Sequence, residues 1–270
     1  MPQELTNDIE KIRHQNPLIH NITNFVTMDL IANGLIALGA SPVMAHSKKE
    51  LDDMIAISSS IVINIGTIDE YWEECFKHAI LKAQELKKPI ILDPVGAGAT
   101  PYRTRVIYEL LSLGHIDVLK GNASEIMSIA GIDANTKGVD SKNSTEEAID
   151  GAWKISKTYG ICVVISGKKD VIINQQEAQI LEYGHPLMAK VCGMGCLLSA
   201  VIAAFNAINA DSAKSAVHAA TLMGIIGEIT SELQYVRGPA SFKAAFIDQL
   251  YMLDIRSIQK KFKTHLSYVL

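Results

Sequence analysis

The chain has 270 residues, 48% of them hydrophobic and 20% charged, with a formal charge of -4 at pH 7. That composition belongs to a protein able to bury a sizeable core, and the lack of any basic excess excludes a nucleic-acid binder. The opening MPQELTNDIEKIRHQNP is too charged for the apolar centre of a signal peptide, and no later stretch reaches the ~20 uninterrupted apolar residues of a membrane span, so a cytoplasmic protein with no membrane partner is expected. Four cysteines are too few for a disulfide scaffold and stay thiols in a reducing compartment.

In chain order, LIHNITNFVTMDLIANGLIALGASPVMA places His20, Asn21, Thr23 and Asn24 before a helix that ends at Gly39. Asn24 fits a helix cap. SPVMAH at 41 reads as a short strand, and Met44 falls at its end. A flexible thioether there can pack on an aromatic or sulfur-containing ring, and it fits the core equally well.

Apolar runs of strand length continue with SSIVINIG at 59, KPIILDPVG at 88, HIDVLKGN at 115 and GICVVISG at 160, each between segments of helical period. Continuous apolar strands alternating with helices predict a mostly parallel sheet covered by helices on both faces. Several strands end in polar or glycine residues: Asn64-Ile65-Gly66, Asp93-Pro94, Lys120-Gly121-Asn122 and Ser166-Gly167. In open α/β sheets that carboxyl edge is where ligands bind.

Asp93 precedes a glycine-rich turn, where a carboxylate can hold Mg2+ or a ligand hydroxyl, or simply make an aspartate turn. In KGNASE, Asn122 and Glu125 fit a capping box. With Lys120 at the strand end, the same cation, amide and carboxylate also suit a nucleoside triphosphate and its magnesium. The polar segment GIDANTKGVDSKNSTEEA reads as a loop.

Beyond Gly167, DVIINQQEAQILEYG reads as two short strands around a turn, and three helices are expected at 194–209, 211–235 and 239–263. No repeat, linker or composition break divides the chain, so one domain spanning 1–270 is expected.

VCGMGCLLSAVIA raises the question of chemistry at a helix start. A metal site at Cys192 and Cys196 lacks further ligands beyond His185, and C-x3-C matches neither a common zinc pattern nor the usual redox pair. Gly193 and Gly195 permit backbone conformations closed to other residues, so their N–H groups and the first helical turn can cradle an anion. The same small residues would also let a buried helix start close to the sheet. Cys196 falls in the first turn, where the helix dipole is expected to lower a thiol pKa.

Taken together, LIHNITN, ANGLIALGASPVMA, VINIGT, ILDPVGAGATPYRT, KGNASEI, GVDS, VVISGKKDVI, GMGCLLSAVIAAF and GPASF resemble, in this order, the hydroxyethylthiazole kinases, a thiamine-salvage branch of the ribokinase-like superfamily. The resemblance covers about residues 17–242. It implies phosphoryl transfer from ATP, with Mg2+, to the hydroxyl of 4-methyl-5-(2-hydroxyethyl)thiazole. By position, Met44 and the backbone of Gly193 would meet the thiazole. Asn24, Lys120, Ser166 and Gly195 would serve ATP, and Asp93 and Glu125 the metal. Cys196 stands where the wider superfamily places an aspartate base, as is usual in this branch. A homotrimer with active sites between subunits is also implied, the segment Asn24 to Met44 contributing across the interface.

Four positions depart from the pattern: Lys120 where arginine is frequent, Ser166 where threonine is, Cys192 where a threonine is expected after the valine, and Met194 where a small residue is expected between the two glycines, so that it is expected to intrude on the cradle. The rival readings are a related kinase of a pyridoxal- or pyrimidine-type alcohol, a catalytically silent small-ligand binder, and a redox or iron-sulfur protein.

Overall fold

The computed structural model describes residues 2–132, 148–263 and, for the backbone, 266–269. Residues 133–147, which include most of the polar segment and the GVDS stretch, lie outside the described residues. One nine-stranded sheet runs in the order β2-β1-β3-β4-β5-β6-β7-β8-β9. Strands β1 (Leu18–Ile22), β2 (Ser41–Val43), β3 (Ser60–Asn64), β4 (Ile90–Asp93), β5 (Val118–Asn122) and β6 (Cys162–Ser166) are parallel to one another. Strands β7 (Asp170–Ile173), β8 (Glu177–Leu181) and β9 (Leu266–Val269) continue the sheet in antiparallel fashion.

The period-2 alternation of each strand divides its residues between two cores. Val62, Ile91, Val118, Val164 and Ile172 face one side, where they meet α1 (Pro2–Gln15), α2 (Met28–Leu38), α8 (Met194–Asn206), α9 (Ser212–Ser231) and α10 (Pro239–Tyr251). Their neighbours Ile61, Ile63, Ile90, Leu92, Leu119, Val163 and Ile165 face α3 (Leu51–Ile57), α4 (Glu70–Glu85), α5 (Pro101–Leu113), α6 (Ala123–Ile129) and α7 (Ile149–Tyr159). Burial on both faces explains why these strands read as unbroken apolar runs. Among the described residues no helix is long and apolar enough to cross a membrane.

Four elements were not expected: α1, β1, α11 and β9. β1 is a full strand, concealed in the sequence because His20 and Asn21 interrupt its apolar run although both are buried. The last expected helix, 239–263, is two: α10 stops at Tyr251, and α11 (Ile255–Lys261) restarts where the Asp254 carboxylate accepts from the backbone N–H groups of Arg256 and Ser257. The chain then adds β9 to the sheet edge. The second expected C-terminal helix is shorter than 211–235, because Asp211 is its cap and it ends at Ser231.

Candidate active site

Parallel strands bring all their carboxyl ends to one edge, and the residues singled out there converge. Asp93 ends β4, Lys120 lies near the end of β5, Ser166 ends β6, and α8 begins above them. Asn24 follows β1 by two residues, and Met44 follows β2 by one, half-buried against the core beneath α2 and α8.

Two devices shape this edge. Arg103, on the first turn of α5, donates from Nη1 to the carbonyls of Ile65 (2.7 Å) and Val95 (2.8 Å) and from Nη2 to Gly66 (2.9 Å). One guanidinium thus ties the loop after β3 to the loop after β4. Gly66 must be a glycine, because a Cβ there would lie 2.8 Å from the Cβ of Asn24. The second device is the expected capping box: Asn122 Oδ1 accepts from Glu125 N (3.0 Å) and Glu125 Oε2 accepts from Asn122 N (2.8 Å). The remaining oxygen, Oε1, accepts from Gly96 N at 2.8 Å, so Glu125 also anchors the glycine-rich turn. Helix capping and the shape of this edge therefore share one residue.

Asp93 is fully buried. Its Oδ2 accepts from Ser199 Oγ (2.7 Å) and Asn64 Nδ2 (3.1 Å) and lies 3.7 Å from Lys120 Nζ. Its Oδ1 is buried without a protein partner. Burial pushes this carboxyl above its ordinary range, against the pull of Lys120, Ser199 and Asn64. Glu125 is pushed up to about 7, first by burial and then by the charge of Asp93. For Lys120 burial works against the charge, but Asp93, Cys196 and Glu125 outweigh it and hold the ammonium above its usual pKa. Lys120 also donates to the carbonyl of Gly195 at 3.0 Å, which joins β5 to the start of α8.

The helix start corrects three expectations. Only Gly193 uses a glycine conformation (φ +93°), with a Cβ there falling 2.7 Å from Thr27 Cγ2; Gly195 is already in the first turn of α8 and is restricted by the approach of Lys120 instead. Met194 is buried in the core and does not intrude on the cradle. The Cys196 thiol is raised, not lowered: burial and the Asp93 charge outweigh Lys120 and the amides of Asn64 and Asn24. Cys192 is exposed, while Cys196 is buried.

Asn24 is not the cap of α2, a position held by Thr27. Its Nδ2 donates to Asn64 Oδ1 (2.9 Å) and to Cys196 Sγ (3.5 Å), and its Oδ1 accepts from Thr27 Oγ1 (3.0 Å). Ser166 donates to the Gly121 carbonyl at 3.3 Å. The sequence did not single out Arg103 or Ser199, and it marked Asn64 only as a strand end, a polar residue closing an apolar run, with no role.

As a cation site, the edge offers one unpartnered carboxylate oxygen and a second carboxyl nearby. Among the described residues no three His, Cys, Asp or Glu side chains converge into a cage. That donor set fits Mg2+, which keeps several waters and is usually held by one or two carboxylates together with substrate phosphates.

The sequence pattern of the hydroxyethylthiazole kinase family matches residues 9–256. A hydroxyethylthiazole kinase of Syntrophus aciditrophicus (strain SB) is 42% identical over 263 residues, covering 97% of both chains. The solved hydroxyethylthiazole kinase protein of Pyrococcus horikoshii OT3 superposes with a TM-score of 0.87 at 37% identity and covers 99% of both chains. A ribokinase-like superfamily protein of Enterococcus faecalis V583, at 15% identity and a TM-score of 0.61 over 87% of this chain and 86% of its own, shares the fold alone. The architecture is thus ribokinase-like, and the chain belongs to the hydroxyethylthiazole kinase family.

Proposed function

We propose that the protein transfers the γ-phosphoryl group of ATP to the primary hydroxyl of 4-methyl-5-(2-hydroxyethyl)thiazole, in thiazole salvage for thiamine. The observation that carries this reading is the buried cluster of Lys120, Asp93 and Glu125 under the first turn of α8, in a chain of this family. Phosphoryl transfer asks little covalent chemistry of a protein and much positioning and charge neutralisation. Lys120 supplies a cation held charged by its surroundings, and the first-turn amides of α8, with exposed Gly195 among them, supply anion donors. Ser166 and Asn24 flank that cradle on the nucleotide side. Met44 and the Gly193 backbone bound the thiazole side.

Asp93, through its unpartnered Oδ1, and Glu125 would hold Mg2+. When bound, the ion neutralises charge on the β- and γ-phosphates. Cys196 stands beside the acceptor hydroxyl as a neutral thiol, because its pKa is raised. The acceptor oxygen forms its bond to the γ-phosphorus as the bond from that phosphorus to the β,γ-bridging oxygen breaks and ADP leaves, and the hydroxyl proton passes to a phosphoryl oxygen or to water, without a strong base.

We read the active assembly as a homotrimer in the cytoplasm, where ATP is available. Phe25, Val26 and Ile36 are 55%, 68% and 61% exposed, large apolar side chains on or beside the segment Asn24 to Met44, as a subunit contact requires. ADP release measured across a panel of small alcohols tests the substrate. Turnover with the thiazole alcohol and none with pyridoxal or a hydroxymethylpyrimidine is expected; the reverse pattern overturns the reading. Light scattering tests the assembly, and a one-chain mass at full activity overturns the trimer.

A further inference from the structure

Asn64 and Asp93 are direct register partners on the parallel strands β3 and β4, so their side chains leave the sheet on the same face, under α8. Two neighbours fix which way the Asn64 amide points, and a third follows from it. Gly66 N–H can only donate, so the atom 3.0 Å away must be Oδ1. The Asp93 carboxylate can only accept, so the atom 3.1 Å from its Oδ2 must be Nδ2. Asn24 Nδ2 then donates to the same Oδ1 at 2.9 Å and spends its second hydrogen on Cys196 Sγ. From the other side, Ser199 Oγ donates to the same oxygen of Asp93. The result is one buried hydrogen-bonded chain, Cys196–Asn24–Asn64–Asp93–Ser199, that leaves only Asp93 Oδ1 without a protein partner.

We propose that Asn64, with Ser199, is a positioning residue for the phosphoryl transfer. By donating and accepting at once, it locks Asp93 by one oxygen and, through Asn24, holds the Cys196 thiol in register with it. An amide does both at every pH, whereas ionised aspartate lacks the donor and leucine lacks both functions. Two members of the chain, Asp93 and Cys196, are those assigned above to the metal and to the acceptor hydroxyl, so the inference rests on that kinase reading. Partners of this kind, one step behind the groups that touch the reactants, are worth about 10–100-fold in activity.

The chain branches, and the test uses that. Asn64→Asp, assayed at pH 8.5 and above where it is ionised, keeps the acceptor for Gly66 and Asn24 and replaces the donor to Asp93 with a repelling carboxylate; Ser199→Ala removes the other donor without adding charge; Asn64→Ala cuts both branches. Turnover with the thiazole alcohol, KM for both substrates, thermal midpoint, and the rate at which iodoacetamide labels Cys196 in nucleotide-free protein, resolved by peptide mass spectrometry, are measured for each. Asn64→Asp should lose about 10–100-fold in kcat, and Ser199→Ala about 3–10-fold, with both KM values within about threefold and Cys196 labelling within about twofold of the parent. Asn64→Ala should lose at least as much kcat as Asn64→Asp, and only in this variant should the labelling rate change by threefold or more.

An Asn64→Asp enzyme with kcat within threefold of the parent overturns the proposal. So does a loss that appears only as a lower midpoint, with full turnover per folded molecule. If Asn64→Ala does not fold, Asn64→Asp and Ser199→Ala decide. If the parent acts on another alcohol and not on the thiazole, the substrate reading fails, and the same kcat comparison with that alcohol still decides this one.

Discussion

Lys120→Met removes the ammonium that lies against Asp93 while keeping a side chain of similar length. In the parent, Lys120 is buried, donates to the Gly195 carbonyl at 3.0 Å and lies 3.7 Å from Asp93 Oδ2. Removing one partner of a buried charge pair costs about 3–5 kcal/mol, because the other charge is left uncompensated. At about 2–4 °C per kcal/mol for a domain of this order of size, the midpoint should fall by roughly 6–20 °C at pH 8. The Asp93 carboxyl already lies above its ordinary value through burial, and losing the ammonium raises it further. The folded variant therefore binds protons that its unfolded chain releases, so its stability deficit is largest at high pH and shrinks as pH falls toward the unfolded carboxyl value. Thermal unfolding of nucleotide-free protein at pH 8 and pH 5.5 reads both effects, with Lys120→Arg as the control that keeps the charge. A midpoint within 2 °C of the parent at pH 8, or a deficit equal at the two pH values, would refute the claim that this lysine compensates buried carboxyls.

Glu125 makes a second pH prediction: its carboxyl sits at about 7 in the folded protein against an ordinary 4.5, so its contribution to stability is fully present below 4.5 and is lost as pH rises through 7. The midpoint of the nucleotide-free protein should decline over that window, and Glu125→Gln should flatten the decline; an unchanged slope sinks the assignment. Gly193→Ala and Gly195→Val should separate fold from chemistry. The first forces a Cβ to 2.7 Å from Thr27 at φ +93° and should lower the midpoint, whereas the second meets only the Lys120 ammonium at 3.0 Å and should leave the protein folded. Disturbing that cation and the first-turn donors should lower kcat about 100-fold or more, and near-normal turnover in Gly195→Val would make this helix start a packing motif only. Cys196→Asp should keep or raise kcat and Cys196→Ala lower it, measured by ADP release; equal rates in all three would remove the thiol from the reaction.

The sheet was legible because burial on both faces writes unbroken apolar runs, and β3, β4, β5 and β6 all carry them. β1 escaped because His20 and Asn21 are buried by hydrogen bonding as well as by packing: His20 Nε2 contacts the Ala45 carbonyl at 2.7 Å, and Asn21 Nδ2 donates to the Ile19 carbonyl at 2.8 Å. Hydropathy scores such residues as surface. The break between α10 and α11 escaped for a related reason. Its cue is the single cap Asp254 inside a helical pattern, with Leu253 buried beside it, and one polar residue in an amphipathic run ordinarily reads as the solvent face.

At the site, Asp93, Lys120 and Glu125 were legible because each carries a local signature, a strand end, a turn glycine or a capping box. Asn64 carries only the signature of a polar strand end, which names no partner, and Ser199 carries none that separates it from an ordinary helix residue. Their partner is 29 residues away in one case and 106 in the other, and only strand register and the seating of α8 across β3 and β4 bring them to it. Cys196 shows how tertiary context can reverse a local rule. A helix N-terminus offers roughly half a positive charge to a first-turn thiolate, yet here the thiol is buried with the Asp93 carboxylate nearby, and both terms oppose ionisation. Desolvation can shift a fully buried group by several pKa units, whereas the dipole is worth typically 0.3–1 kcal/mol, less than one unit. Burial therefore wins, and under the proposed kinase reading a neutral thiol beside a rigidly held carboxylate leaves electrostatic positioning, not general-base strength, as the source of rate that the Cys196 variants test.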